Sequence, residues 1–185
     1  MGLKLNLGSG QNPLPGYLNV DKYGNPDLTC DLESFPWPWA DNSVAEIQMF
    51  HVLEHLGATA ETFIGIMKEM YRVCEPGALI HIAVPHPRHD NFIGDPTHVR
   101  PVVPMTLALF SRKNNLEWQK INASNSPLAL HHGVDFEVVD TSMTLEEPYA
   151  SDLASGRLAG SDVEGLLRRH NNVASEIRFR LKAVK

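Results

Sequence analysis

Nine histidines stand out in a chain of 185 residues, and four of them, His81, His86, His89 and His98, crowd into one stretch. Between Pro85 and Pro101 this stretch sets His86, His89, Asp95, His98 and Arg100 among prolines. Imidazole titrates near neutral pH and suits a general base, while a carboxylate and a guanidinium can hold a polar substrate. His98 and His86 are therefore candidate catalytic bases, and His89, Asp95 and Arg100 candidate substrate-binding groups. The plain alternative is a loop whose histidines and prolines hold its own shape, with Asp95-Pro96 as a turn initiator. The irregular spacing matches no standard metal site, so no metal ligand is assigned. Upstream, His51-x-x-Glu54-His55 matches a pattern of some zinc peptidases, in which two histidines four apart share one helical face. Here it follows a strand directly, which favours pocket lining, with His55 as a further substrate-binding candidate.

Three shorter motifs could hold a ligand. Gly8-Ser9-Gly10 ends a strand, where glycine permits positive φ and close backbone approach. Asp21 ends a second short strand and could accept hydrogen bonds from both hydroxyls of a ribose. Asp31, followed by Leu32, ends a third and could accept from an adenine amino group. Each has a local alternative, a tight turn or a capping aspartate. No third glycine follows Gly10, and too few residues precede the next strand for a phosphate-capping helix.

The elements that must position these groups follow from periodicity. Residues 3–7, 17–20 and 28–30 read as short strands and residues 44–50 as a buried one. Residues 58–73 carry Phe63, Ile64, Met67, Met70 and Tyr71 at helical spacing, and Pro76-Gly77 is read as the stop. Residues 79–84 form the strongest apolar strand. A long loop over 86–104 follows, of a length that usually serves function. A short helix is expected over 105–112, a strand over 134–145, helices near 149–155 and 162–170, and a final strand over 173–183. His131-His132 precede the sixth main strand and are read either as facing the ligand crevice or as plain loop. The pattern is an α/β domain with a mostly parallel sheet.

Length and composition bound the rest. The chain suits one domain, 43% hydrophobic and 21% charged, an ordinary globular balance. A net charge of −6 disfavours binding to nucleic acid by bulk charge. Two cysteines make no disulfide framework, no apolar run reaches membrane-spanning length, and the N-terminus does not read as a signal peptide. A cytoplasmic location is the expectation; oligomeric state is left open.

Taken in order, residues 5–21, Cys30-Asp31-Leu32-Glu33-Ser34-Phe35-Pro36-Trp37, Asp41-Asn42-Ser43-Val44, His51-Val52-Leu53-Glu54-His55-Leu56 and Arg72-Val73-Cys74-Glu75-Pro76-Gly77-Ala78-Leu79 form an ordered set. The set resembles the class I, Rossmann-like S-adenosylmethionine-dependent methyltransferases, in particular their small type 11-like subgroup, over about residues 3–85. The resemblance implies a single α/β domain over 1–185. Its cofactor-binding half spans 1–85 and its substrate-side half 86–185, and the C-terminal strand is antiparallel. It places Gly8, Ser9 and Gly10 under the methionine and ribose of S-adenosylmethionine, Asp21 on the ribose, Asp31 and the Leu32 backbone on the adenine, and His51 beside the transferable methyl. The implied reaction moves that methyl to an O or N nucleophile of a small-molecule or carbohydrate acceptor.

The chain departs from the pattern in three places. Asn6 stands where an acid is usual, the first helix is reduced or missing, and residues 37–40 make a segment two residues longer. The departures motivate a second expectation, a non-catalytic relative that binds a nucleoside or a partner. A zinc hydrolase built on His51, Glu54 and His55 is the third.

Overall fold

The computed structural model describes residues 2–185. Its centre is a seven-stranded sheet formed by β1 (Leu3–Leu7), β2 (Leu18–Asp21), β3 (Leu28–Thr29), β4 (Val44–Phe50), β5 (Cys74–Pro85), β6 (Phe136–Leu145) and β7 (Ala174–Ala183). The spatial order is β3-β2-β1-β4-β5-β7-β6. The pairs β3–β2, β2–β1, β1–β4 and β4–β5 are parallel, whereas β7 runs antiparallel to both β5 and β6. The order reverses between β1 and β4, so the ends of β1 and β4 diverge and open a crevice at the carboxyl edge.

The sheet's two faces are unlike. Leu5, Ile47, Ile80 and Leu181 lie in one registered row, with Met49, Ile82 and Phe179 in the next, and all are buried. Helix α1 (Ala60–Val73) seals this face with Phe63, Ile66, Met67, Met70 and Val73. Fully burying each such side chain contributes about 1.5–3 kcal/mol. The Thr59 hydroxyl caps α1 by accepting from the Thr62 N–H at 3.2 Å. Phe110 and Leu107, from the segment with α3 (Pro104–Ala108), complete the layer. The opposite face carries Lys4, Glu46, His81, Arg178, Arg180 and Lys182 in register. Most of these stay partly in water, joined by contacts such as Lys4–Glu46 at 2.8 Å. The connections after β1 and β2 contain no helix, so the expected loss of the first helix extends to the second.

The Arg72-Val-x-x-Pro-Gly stretch has a structural use. The Arg72 guanidinium donates to the carbonyl oxygens of Trp37 (3.0 Å) and Trp39 (2.8 Å) and pairs with Glu69 and Asp41. It thereby clamps the proline–tryptophan segment, whose indoles are buried in the core. Pro76-Gly77 does not separate the helix from its strand: β5 begins at Cys74 and pairs with Val44 before a bulge. Two helices were not anticipated, α4 (Arg112–Lys120) and the short α5 (Leu128–His132), and the loop after β5 contains one turn of helix, α2 (Asp90–Ile93). Between β6 and β7 come α6 (Tyr149–Ala154) and α7 (Gly160–Arg169). Because Phe136 pairs with Ala183 and Leu79 with Lys182, β6 starts at the sheet's other edge. His131 and His132 therefore stand away from the crevice.

Candidate active site at the carboxyl edge

The crevice is built on the turn after β1. Gly8 (φ 69°) and Gly10 (φ 50°) both occupy the left-handed region. A Cβ on Gly8 would lie 2.3 Å from Val52 Cγ2, so only glycine lets this turn pass the segment after β4. Gly8 and Ser9 donate their N–H groups to the Val20 carbonyl, which holds the turn against β2. Gly10 donates its N–H to Asp21 Oδ2 at 2.8 Å, and Tyr23 donates to Asp21 Oδ1 at 2.9 Å. Each oxygen still keeps a lone pair for a ligand. Asp31 pairs with Lys22 at 2.7 Å and accepts from the Glu33 N–H; the Lys22 ammonium beside it holds its carboxyl below the usual carboxylate range.

Two adjoining cavities result. One, of about 440 Å³, is lined by Gly8, Gly10, Asp21, Asp31, Leu32 and His51, with His55 at its margin. The other, of about 350 Å³, shares Gly8, Gly10 and His51 and is closed by Asn6, Ser9 and Phe50. All seven candidate ligand-holding residues, Gly8, Ser9, Gly10, Asp21, Asp31, Leu32 and His51, thus meet at one crevice, joined by His55. Asn6 is buried, and its amide donates to Asn12 O (3.1 Å) and Asn19 Oδ1 (2.9 Å), tying the loop to β2.

His51 stands where the two cavities join, with φ at 56°, a left-handed conformation in which histidine is enriched among non-glycine residues. Its N–H donates to Ala83 O, its Nε2 lies 2.8 Å from Glu176 Oε2, and its Nδ1 lies 3.6 Å from Glu54 Oε1. Glu54, with Glu176, raises the His51 pKa against the opposing effect of burial. Residues 51–55 pass from a strand end into a single 3-10 turn, Leu53–His55, so His51 and His55 do not share a helical face.

None of the remaining acceptor-side candidates, His86, His89, Asp95, His98 and Arg100, lines either cavity. Several of their polar atoms are engaged nearby. His86 is buried, its Nδ1 accepts from the Arg88 N–H at 3.2 Å, and burial lowers its pKa. His89 caps α2 by accepting from the Asn91 N–H at 3.0 Å. Asp95 accepts from the backbone and hydroxyl of Thr97. His98 donates Nδ1–H to Phe92 O at 3.0 Å and stacks on the Phe92 ring. Arg100 donates to Gly57 O and lies over the Phe63 ring.

Sequence reading missed other residues at the crevice. Lys22, Tyr23, Cys30 and Glu33 line it, and Glu176 reaches His51 from the antiparallel β7. The first four flank Asp21 and Asp31 and were findable by proximity. Nothing local marks Glu176.

The strand order, the single antiparallel insertion and the crevice over β1–β3 define the class I, Rossmann-like methyltransferase fold. Among solved structures, the chain is similar to an S-adenosylmethionine-dependent methyltransferase from Archaeoglobus fulgidus, at 18% identity over 98% of this chain and 86% of that one, with a TM-score of 0.62. A methyltransferase of this kind from Methanosarcina mazei aligns at 13% identity over 98% and 92%, with a TM-score of 0.53. The [4+2]-cyclase SpnF aligns at 15% identity over 99% and 76%, with a TM-score of 0.55. No family model and no curated protein sequence matches the chain. Among the described residues no helix is long and apolar enough to cross a membrane.

Proposed function

We propose that the chain is an S-adenosylmethionine-dependent methyltransferase acting on an O or N nucleophile of a small-molecule or carbohydrate acceptor, in the cytoplasm. The observation that carries this reading is the pairing of Asp21 and Asp31, at the ends of β2 and β3, over two cavities joined at Gly8, Gly10 and His51. The residues fit the cofactor. The cavities are of ligand-binding size, Asp21 keeps a lone pair on each oxygen for the ribose hydroxyls, and Asp31 with Leu32 faces the adenine side. Gly8, Ser9 and Gly10 let the methionine end lie close to the backbone, where the Asn6 side-chain oxygen would accept from its amino group.

When bound, the cofactor supplies an activated methyl and its own leaving group. The protein's task is then to align donor and acceptor and keep water out. Besides His98 and His86, the candidate bases read from the sequence, there is His51, which lines both cavities. It stands at the junction of the cavities, held by Glu176, where its ring would help orient the acceptor. His55 would contact the acceptor from the margin.

A second reading, ligand binding without methyl transfer, is favoured by a cyclase on the same fold. Incubation with S-adenosylmethionine and a panel of hydroxyl and amine acceptors separates the two. Transfer predicts acceptor-dependent formation of S-adenosylhomocysteine and a methylated product by mass spectrometry, both strongly reduced in His51→Ala. Cofactor binding without turnover on any acceptor would establish the second reading.

A further inference from the structure

Glu54 is fully buried beside the crevice, and neither of its carboxylate oxygens receives a hydrogen bond from the protein. Its closest cationic partner, His51, lies at 3.6 Å and makes its shorter contact with Glu176. An isolated buried carboxylate is costly and calls for a compensating group. Two histidines stand next to it. A carboxylate oxygen of Glu54 and one nitrogen each of His55 and His98 all lie within 4.8 Å of one another.

The hydrogen bonds around these histidines fix which nitrogen is free. Phe92 O can only accept, so His98 Nδ1 carries the proton there, at 3.0 Å. Thr97 Oγ1 donates its own proton to Asp95 Oδ1 at 2.6 Å, and therefore accepts from His55 Nδ1 at 2.9 Å. In the neutral imidazole both rings therefore offer Nε2 as the free lone pair. A histidine whose Nδ1–H is held by a carbonyl, or through a hydroxyl by a carboxylate, is oriented as metal-binding histidines are. The two segments are also locked together. The Glu54 carbonyl accepts from the N–H groups of Val99 (2.9 Å) and Arg100 (3.2 Å), which fixes His98 beside His55.

We propose that Glu54, His55 and His98 bind one divalent transition-metal cation of the zinc type. Two imidazoles and one carboxylate suit such an ion better than magnesium or calcium, which prefer all-oxygen shells. Three protein ligands leave a coordination position open, as in catalytic rather than structural sites. A tetrahedral ion with bonds of about 2.1 Å holds its ligand atoms about 3.4 Å apart, so the three side chains, now within 4.8 Å of one another, would draw closer around the ion. His55 also lines the larger cavity, so the open position would take an oxygen ligand of a molecule bound in the crevice. That use rests on the methyl-transfer reading; the metal site itself does not.

The test is calorimetric titration of tag-free, chelator-treated protein with Zn²⁺ in the absence of cofactor, with the visible spectrum of Co²⁺ as a second probe. One Zn²⁺ per chain is expected. Glu54→Gln and His98→Asn should each weaken binding at least about 100-fold, and Thr97→Val, which acts through His55, about tenfold. The double variant His131→Ala/His132→Ala should leave binding unchanged. Histidine-ring NMR of the wild type gives a readout that survives any misfolding of the variants: Zn²⁺ should move the resonances of His55 and His98. Absence of stoichiometric binding, shifts confined to other histidines, or affinity unaltered in folded Glu54→Gln and His98→Asn would overturn the proposal. Asp21→Ala should bind Zn²⁺ like the wild type, so failure of the metal site and failure of the cofactor site are read separately.

Discussion

Two segments leave the same edge of the sheet, and both are rich in polar residues. The turns after β1, β2 and β3 leave Asp21 and Asp31 with lone pairs facing a cavity, and the backbone bends at Gly8 and Gly10 to make room. The loop after β5 carries more titratable side chains. Yet His86, His89, Asp95 and Arg100 direct their donors and acceptors at neighbouring backbone and hydroxyl groups. One region is organised around space and the other around itself. Residue type and position at the edge are therefore not enough to make a binding group. The group must also face a cavity, as Asp21 and Asp31 do although both already accept from the protein.

The largest expected effect probes the first region. Gly8→Ala forces a left-handed alanine against Val52 and should cost about 3 kcal/mol, counting both the backbone and the overpacking. Urea unfolding measures it, and an unchanged midpoint would mean that the turn is not packed as described. Arg100→Ala probes the second. Losing the hydrogen bonds to Gly57 and the stacking on Phe63 should destabilise the protein by about 2 kcal/mol. Affinity for S-adenosylhomocysteine should stay unchanged. A tenfold fall in affinity with stability intact would erase the contrast between the regions.

The smallest effect is in acid. Asp31 titrates below its ordinary 3.8 because the Lys22 ammonium favours the ionised form. Its contribution to stability is therefore present above about pH 4 and is lost as pH falls through the lowered folded-state value. The pair is solvent-exposed and the contribution small. Asp31→Asn should flatten the stability profile slightly below pH 4, and high salt should have the same effect on the wild type.

Much of the N-terminal half was legible because its signals are local. Alternation marked β1 and β4, and the Phe63, Met67, Met70 spacing marked α1. Aspartates after short strands marked the crevice. The parts that were not legible depend on distant or polar contacts. Helix α4 buries Asn115 rather than an apolar stripe. The Asn115 oxygen accepts from the N–H groups of Ala129 and Leu130, and its amide donates to Leu109 O. No hydrophobic period announces such a helix. β5 runs through Pro76-Gly77 because Cys74 pairs with Val44, a contact set by the sheet and not by the dipeptide. In the histidine loop, hydrogen bonds to residues two to six positions away engage His86, His89, Asp95 and His98, and none of these lines the cavities.

The central claim is that the carboxyl-edge crevice binds the methyl donor through Asp21. Calorimetric titration with S-adenosylhomocysteine tests it most directly, on the wild type and on Asp21→Ala. One site per chain is expected in the wild type and a loss of affinity of at least about 100-fold in the variant, the scale of two lost charge-assisted hydrogen bonds. A wild type that binds none of it, or a folded Asp21→Ala that binds equally well, would contradict the account.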